Sequence, residues 1–368
     1  MKEREELIAM KFNKYYFENF SSDTPFDINN PRYVLGLVGV DSVLERIVVS
    51  SPYSLTIEDF DNVDLVNALL HIDVLQLKND KIGMAVPFFV SQDADILKEL
   101  SKRVANDIAT ELLAHKEQIV KVAERIDNGY PVERNLYHIL CACIFDGLMF
   151  DYLEENELVT TSCVHNSGLD YLVVLYEDTA CLNEYSNMLL CSYNRLMANG
   201  KGFVSFGDSH GIRNDFYRYN RQRELNLLSE QERKYITCST ETLIENFDRM
   251  ADGDKVERRY VEIYERFGYC QDGKIVVPVY NACSFEIADE LYDFIVKIVK
   301  THIIDVLTAI QCETRLLAIA HEVKVKDIAN EIYHLIFGEV NEILVRSGLV
   351  STPPYYQGEG RYFKSFER

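Results

Sequence analysis

Two stretches of this chain carry the same succession of apolar and polar positions. Asn79-Asp80-Lys81-Ile82-Gly83-Met84-Ala85-Val86-Pro87 is a polar turn, a short apolar strand and a proline. Asp272-Gly273-Lys274-Ile275-Val276-Val277-Pro278 repeats it. Both lead into a long amphipathic helix. With Pro87 set on Pro278, 191 positions apart, Ile96/Ile287, Glu99/Glu290 and Leu100/Leu291 also coincide. An internal echo of this kind points to a duplicated unit with an insertion between its copies.

The rest of the pattern predicts the elements around that repeat. Glu3 to Phe20 reads as a helix and Ser21 to Pro31 as turn-rich chain. Asp41 can cap a helix carrying Val43, Leu44, Ile47 and Val48. Thr56 to Phe60 is a short helix. Asn62 caps a third helix, whose stripe is Leu65, Val66, Leu69 and Leu70. Val74 to Leu77 and Ile82 to Val86 then alternate around Lys78-Asn79-Asp80-Lys81, which is a hairpin pattern. Ser91 to Ile126 reads as one long helix. Beyond Pro131, Leu136 to Leu153 reads as a helix, Leu172 to Tyr176 as a buried strand, Leu182 to Met197 as a helix and Phe203 to Phe206 as a strand. In the second copy Ser229 with Glu232 forms a capping box. Helices follow over Thr240 to Met250 and Lys255 to Phe267, then a hairpin around Gln271-Asp272-Gly273. The helices Phe285 to Ile310 and Asp327 to Val345 come last, and the aromatic tail from Pro353 reads as a surface strap.

Helix, short helix, helix, hairpin is the order of a winged helix. Residues Arg32 to Val90 thus resemble the winged-helix superfamily, the winged relative of helix-turn-helix DNA binders. The resemblance implies that the helix Asn62 to Ile72 is the reading helix and that Asn79-Asp80 is the tip of the wing. The expected fold class is α+β: two winged-helix-like units with long following helices, flanking a small central α/β module. The segments are 1–30, an N-terminal helix and linker; 31–128, the first unit; 129–227, the central module; 228–350, the second unit; and 351–368, the strap.

Composition narrows the function. The chain has 368 residues, 47% of them hydrophobic, with 23 Tyr and 19 Phe to fill cores. Its net charge of −21 opposes non-specific attraction to a phosphate backbone. The first unit makes the point locally. Residues 41–90 hold three basic and eight acidic side chains, and the third helix has no Arg or Lys. A helix presenting Asp64 repels phosphate, so this unit reads as a packing or protein-binding element. The second unit differs. Its third helix carries Lys255, Arg258 and Arg259, and Arg218, Arg221 and Arg223 interleave with aromatics upstream. Arg among aromatics is a nucleic-acid or anion surface, and solvated ion pairs are the competing reading.

The nine cysteines form no Cys-x-x-Cys pair; Cys141, Cys191 and Cys312 sit among apolar neighbours, as buried free thiols do. With no apolar signal core at the start, this fits a reducing cytoplasm. Leu136 to Phe150 is too short for a membrane span and reads as a buried helix.

Enzymatic chemistry has one foothold. Gly207-Asp208-Ser209 after an apolar strand resembles the block of GDSL-type serine hydrolases, in which the Ser is the nucleophile. That resemblance implies Ser209 and Asp208, with His334 as the nearest late base. The block stands mid-chain here, whereas the family places it near the N-terminus, and turn residues account for the same types without catalysis. Glu331-Ile332-Tyr333-His334 has the spacing of half a di-iron site, without a second such motif. No residue set points to a metal or cofactor. The sequence therefore predicts a non-enzymatic regulatory or binding protein of winged-helix type, with transcriptional regulation as its expected work where DNA is the partner. It touches DNA through the second unit, or protein partners and further copies of itself through the long helices. The central module has room for a small effector, and no membrane contact is expected.

Overall fold

The computed structural model describes residues 10–18, 24–186, 189–196, 200–208, 213–216, 240–355 and 359–368. It is an α+β protein, as expected. The first copy opens with strand β1 (Phe12–Glu18), followed by α1 (Pro31–Leu35), α2 (Val40–Val48) and α3 (Val63–His71). The hairpin β2 (Leu75–Lys78) and β3 (Lys81–Met84), strand β4 (Phe88–Phe89), and helices α4 (Ala94–Ala114) and α5 (Lys116–Ala123) complete it. Next comes one continuous helical stretch: α6 (Val132–Leu136), a π-helical run (Tyr137–Leu148) and α7 (Met149–Glu155). Strands β5 (Cys163–Val164) and β6 (Asp170–Glu177) and helix α8 (Ala180–Ser186) follow.

The second copy runs through β7 (Leu189–Leu196), β8 (Gly202–Asp208), α9 (Thr240–Ala251) and α10 (Arg258–Arg266). Its hairpin is β9 (Cys270–Gln271) and β10 (Lys274–Ile275). Then come β11 (Val279–Tyr280), α11 (Ala282–Ala309), α12 (Leu317–Ala320), α13 (Val325–Arg346) and β12 (Tyr362–Glu367).

The echo in the sequence is an echo in backbone bonding. In the first copy Val74 N donates to Leu69 O, and Ala85 N to Val74 O. In the second, Tyr269 N donates to Tyr264 O, and Val276 N to Tyr269 O. Both hairpins turn on two residues with positive φ, Asn79-Asp80 and Asp272-Gly273, the primed geometry that matches strand twist. Pro87 O accepts from Leu175 N, and Pro278 O accepts from Phe366 N. A proline has no N–H to donate, so each sits at a strand edge using only its carbonyl. The long helices start alike: Val90 N donates to the Asp93 carboxylate and Asn281 N to Ser284 Oγ. Ile96, Ile287 and Leu291 are buried as the shared stripe requires, whereas Leu100 is only half-buried.

The chain divides into two compact units that are interleaved in sequence. Unit 1 is Met1–Arg103, Tyr152–Ser186 and Ile304–Leu335; unit 2 is Val104–Asp151, Asn187–Ile303 and Ile336–Arg368. In unit 1, β6 lies between antiparallel β1 and parallel β4. In unit 2 the order is β11-β12-β8-β7, with β12 parallel to β11 and antiparallel to β8. Each unit thus joins the strands of one copy to helical chain from the other. Residues 129–227 accordingly do not form a module of their own, since β6 completes the sheet of β1 and β4.

Several local expectations change. Phe12–Glu18 is a strand, because its aromatic-rich run pairs along the whole of β6. Leu189–Leu196 is also a strand, paired with β8 rather than continuing α8. The tail is no surface strap. Tyr362 and Phe366 are fully buried on the central strand β12. The helix after Pro131 spans Val132–Glu155, long and apolar enough to cross a membrane, but 67% of its most apolar window is buried within the protein. His115 separates α4 from α5. Cys141 is buried as expected, whereas Cys312 is exposed. Cys191, Ser229 and Glu232 lie outside the residues whose side chains are described.

The core of unit 2 is aromatic. Phe203 has its ring centroid 4.5 Å from Phe216, 4.8 Å from Tyr269, 5.1 Å from Phe247 and 5.2 Å from Phe366. These offset and edge contacts add about 0.5–1.5 kcal/mol per pair to the burial itself.

Candidate functional site

Helix α10 buries Tyr260, Ile263 and Tyr264 and turns its charges outward. Arg258 has a side chain 90% exposed, with Nε 2.8 Å from Glu262 one turn on. Arg259 Nε is 3.0 Å from Glu257, and its guanidinium lies 4.7 Å from the Tyr260 ring centre. Glu265 accepts from Gly273 N in the hairpin turn at 2.8 Å. The expected basic face is therefore a mixed one, with acids beside Arg258 and Arg259. Lys255 lines a groove of about 1070 Å³ together with Asp252, Asp254, Lys274 and Arg368. Arg218, Arg221 and Arg223 lie outside the described residues.

The corresponding face of the first copy has no cation on its helix. Asp61, Val63, Asp64 and Asn67 are exposed on and before α3, where Asn62 caps the helix by accepting from Leu65 N at 3.1 Å. The hairpin exposes Leu77 by 48%, and Val49 at the end of α2 is 67% exposed. Of the hairpin cations, Lys78 pairs with Glu322 and Lys81 donates to Ser54 O at 3.2 Å.

The residues proposed for hydrolysis are placed as follows. Ser209 lies outside the described residues. Asp208 belongs to unit 2 and is buried. Its oxygens accept from Arg361 Nη2 at 2.9 Å and Arg361 N at 3.0 Å. His334 belongs to unit 1. Its ring stacks on Phe17 with centroids 4.3 Å apart, and its Nδ1 donates to Asn330 O at 3.0 Å. Burial lowers its pKa to about 3, so it stays neutral in the folded protein. Asp208 works as a structural anchor for β12, and His334 as a core ring.

The half di-iron motif resolves into a buried hydrogen bond. Tyr176 OH on β6 donates to Glu331 Oε1 on α13 at 2.6 Å. Burial raises the Glu331 pKa to about 8, against the lowering effect of that bond, so the group is a neutral acid at physiological pH.

Unit 2 holds a counterpart. Glu367 lies on β12, 191 positions after Tyr176. His138 lies on the long helix, 193 positions before Glu331, matching the offset of the two helix starts. His138 Nε2 is 3.0 Å from Glu367 Oε1, yet off the line that a hydrogen bond needs. The His138 ring stacks face to face on Tyr280, with centroids 3.9 Å apart and 5° between planes. Burial holds its pKa below the usual value, although Glu367 pulls the other way. Cys143 Sγ lies 4.0 Å from the same carboxylate oxygen. The donor atoms of His138, Cys143 and Glu367 all fall within 4.8 Å of one another.

Sequence reasoning missed this trio for a physical reason. Positions five apart in an α-helix point about 140° away from each other. In a π-helix, bonded i to i+5, they fall on one face. His138 and Cys143 sit in such a run, closed by Met149 N donating to Ile144 O. Comparison with protein-family models, with curated proteins and with solved structures finds no match to this chain.

Proposed function

We propose that this chain is a non-enzymatic binding protein whose first helix-and-hairpin surface docks a protein partner. The surface formed by α3 and the β2–β3 hairpin supports the reading. Val63 on the helix and Leu77 on the hairpin are exposed, Asp61 and Asp64 flank Val63, and the helix carries no Lys or Arg. Such a surface suits a partner that presents apolar side chains ringed by Lys or Arg. The seven described cysteines are all free thiols, which fits work in a reducing cytoplasm.

DNA contact through α10 is the second reading, favoured by the exposure of Arg258. The glutamates beside Arg258 and Arg259 weigh against it, because each must be displaced or repelled at a phosphate. A photocrosslinking amino acid at Leu77, with one at the still more exposed Val164 as control, tests the proposal in living cells. A discrete protein adduct from Leu77 alone, lost in Asp64→Lys, is the expected result. Equal adducts from both positions, or none, would overturn it.

A further inference from the structure

We propose that His138, Cys143 and Glu367 form a binding site for one divalent metal ion of the zinc class, with water in the fourth position. The donor set is the first support. Imidazole nitrogen, thiolate and carboxylate are ligands that a borderline ion such as Zn²⁺ accepts together. One thiolate and one carboxylate also cancel its two charges, which matters for a site buried as deeply as His138.

Geometry is the second support. Around a tetrahedral zinc, ligand edges are about 3.4 Å for nitrogen to oxygen and about 3.6 Å for sulfur to oxygen. The observed edges to Glu367 Oε1 are 3.0 Å from His138 Nε2 and 4.0 Å from Cys143 Sγ. Opening the first and closing the second by about 0.4 Å each brings both to zinc values, and the third edge, His138 Nε2 to Cys143 Sγ, lies within 4.8 Å. The Nε2 geometry is the third support. His138 is 2% exposed, and its Nε2 meets Glu367 Oε1 at 3.0 Å but off the line of a good hydrogen bond. A buried nitrogen held so poorly is costly, and a metal would give it a full bond.

The surroundings hold the ligands in place. Tyr280 fixes the plane of the His138 ring, and its OH donates to Asn135 Oδ1 at 3.1 Å. Asn135 in turn exchanges bonds with Asn128, which lines the groove that Arg368, the neighbour of Glu367, also lines. The equivalent positions provide an internal contrast. By the same offsets, Glu367, His138 and Cys143 correspond to Tyr176, Glu331 and Ile336. A phenol replaces the carboxylate and an alkyl group the thiol, so only one of the two sets carries the ligands.

Purified full-length protein, treated with chelator and then titrated with Zn²⁺ or Co²⁺, provides the test. One ion per chain is expected, and Co²⁺ should give a thiolate charge-transfer band with intense tetrahedral d–d bands. Cys143→Ser should abolish the charge-transfer band. It should weaken Zn²⁺ binding by at least about 100-fold, the upper end of the loss seen for outer-shell partners. Glu367→Gln should weaken binding similarly, whereas Cys141→Ser should leave it unchanged. A band that survives Cys143→Ser, or a titration with no thiolate band, would overturn the proposal. Should Cys143→Ser fail to fold, alkylation of the wild type decides. Zn²⁺ should protect Cys143 but not exposed Cys181 from iodoacetamide, and equal labelling of Cys143 with and without Zn²⁺ would refute the site.

Discussion

Glu331 makes the stability of unit 1 depend on pH in an unusual direction. Its carboxyl is buried and hydrogen-bonded to Tyr176, with its pKa raised from 4.5 to about 8. The folded state therefore binds a proton that the unfolded chain gives up between these values. Stability must fall as pH rises through that window, and below the unfolded pKa the penalty vanishes. At 1.36 kcal/mol per unit, the full penalty above pH 8 is about 5 kcal/mol, of which about 4 kcal/mol accrues between pH 5 and 9. Glu331→Gln keeps an oxygen for the Tyr176 hydroxyl and removes the titration. The assay is urea unfolding of both proteins at five pH values from 5 to 9. The stability of the variant relative to wild type should climb by about 4 kcal/mol across the series, most steeply between pH 5 and 8. His334, 4.0 Å away, is present in both proteins, so its own titration largely cancels. A gap that moves by less than about 1 kcal/mol would show that Glu331 ionises normally in the folded protein.

Other expectations follow from the same structure. Phe203→Ala empties the centre of the aromatic core and should cost about 3–5 kcal/mol in chemical denaturation. Gly207→Ala should be more disruptive than its one methyl suggests, because a Cβ there would collide with the backbone of Arg361 and Tyr362; loss of the cooperative thermal transition is the readout. His334, with its pKa lowered to about 3 by burial, should make stability decline as pH falls from 6.5 toward 3, and His334→Gln should flatten that decline. A fluorophosphonate probe should leave Ser209 unlabelled; labelling lost in Ser209→Ala would contradict the non-enzymatic reading.

Much of the repeat was legible in the chain. Turn residues with positive φ, the prolines that follow the hairpin strands and the Asn62 cap act locally, so the sequence pattern records them. The sheets were not legible, because their partners are far apart. β1 pairs with β6 across more than 150 residues, and nothing local distinguishes Phe12–Glu18 from a helix with an aromatic face. The same holds for Tyr362–Glu367, whose alternation becomes meaningful only between β11 and β8. The basic side chains of α10 were visible, but their neutralisation by Glu257 and Glu262 depends on rotamers that spacing only suggests. The His138–Cys143 pair was invisible for the reason that makes it informative: the helix there departs from the α repeat on which pattern reading rests.

Whether the two hairpin-bearing surfaces serve protein rather than nucleic-acid contact is tested most directly by fluorescence anisotropy of labelled duplex DNA against the intact protein, from low to physiological salt. The account predicts no saturable binding, and no difference between wild type and the Lys255→Glu, Arg258→Glu, Arg259→Glu triple variant. Saturable binding that weakens steeply with salt, as counterion release requires, and that disappears in the triple variant would contradict it.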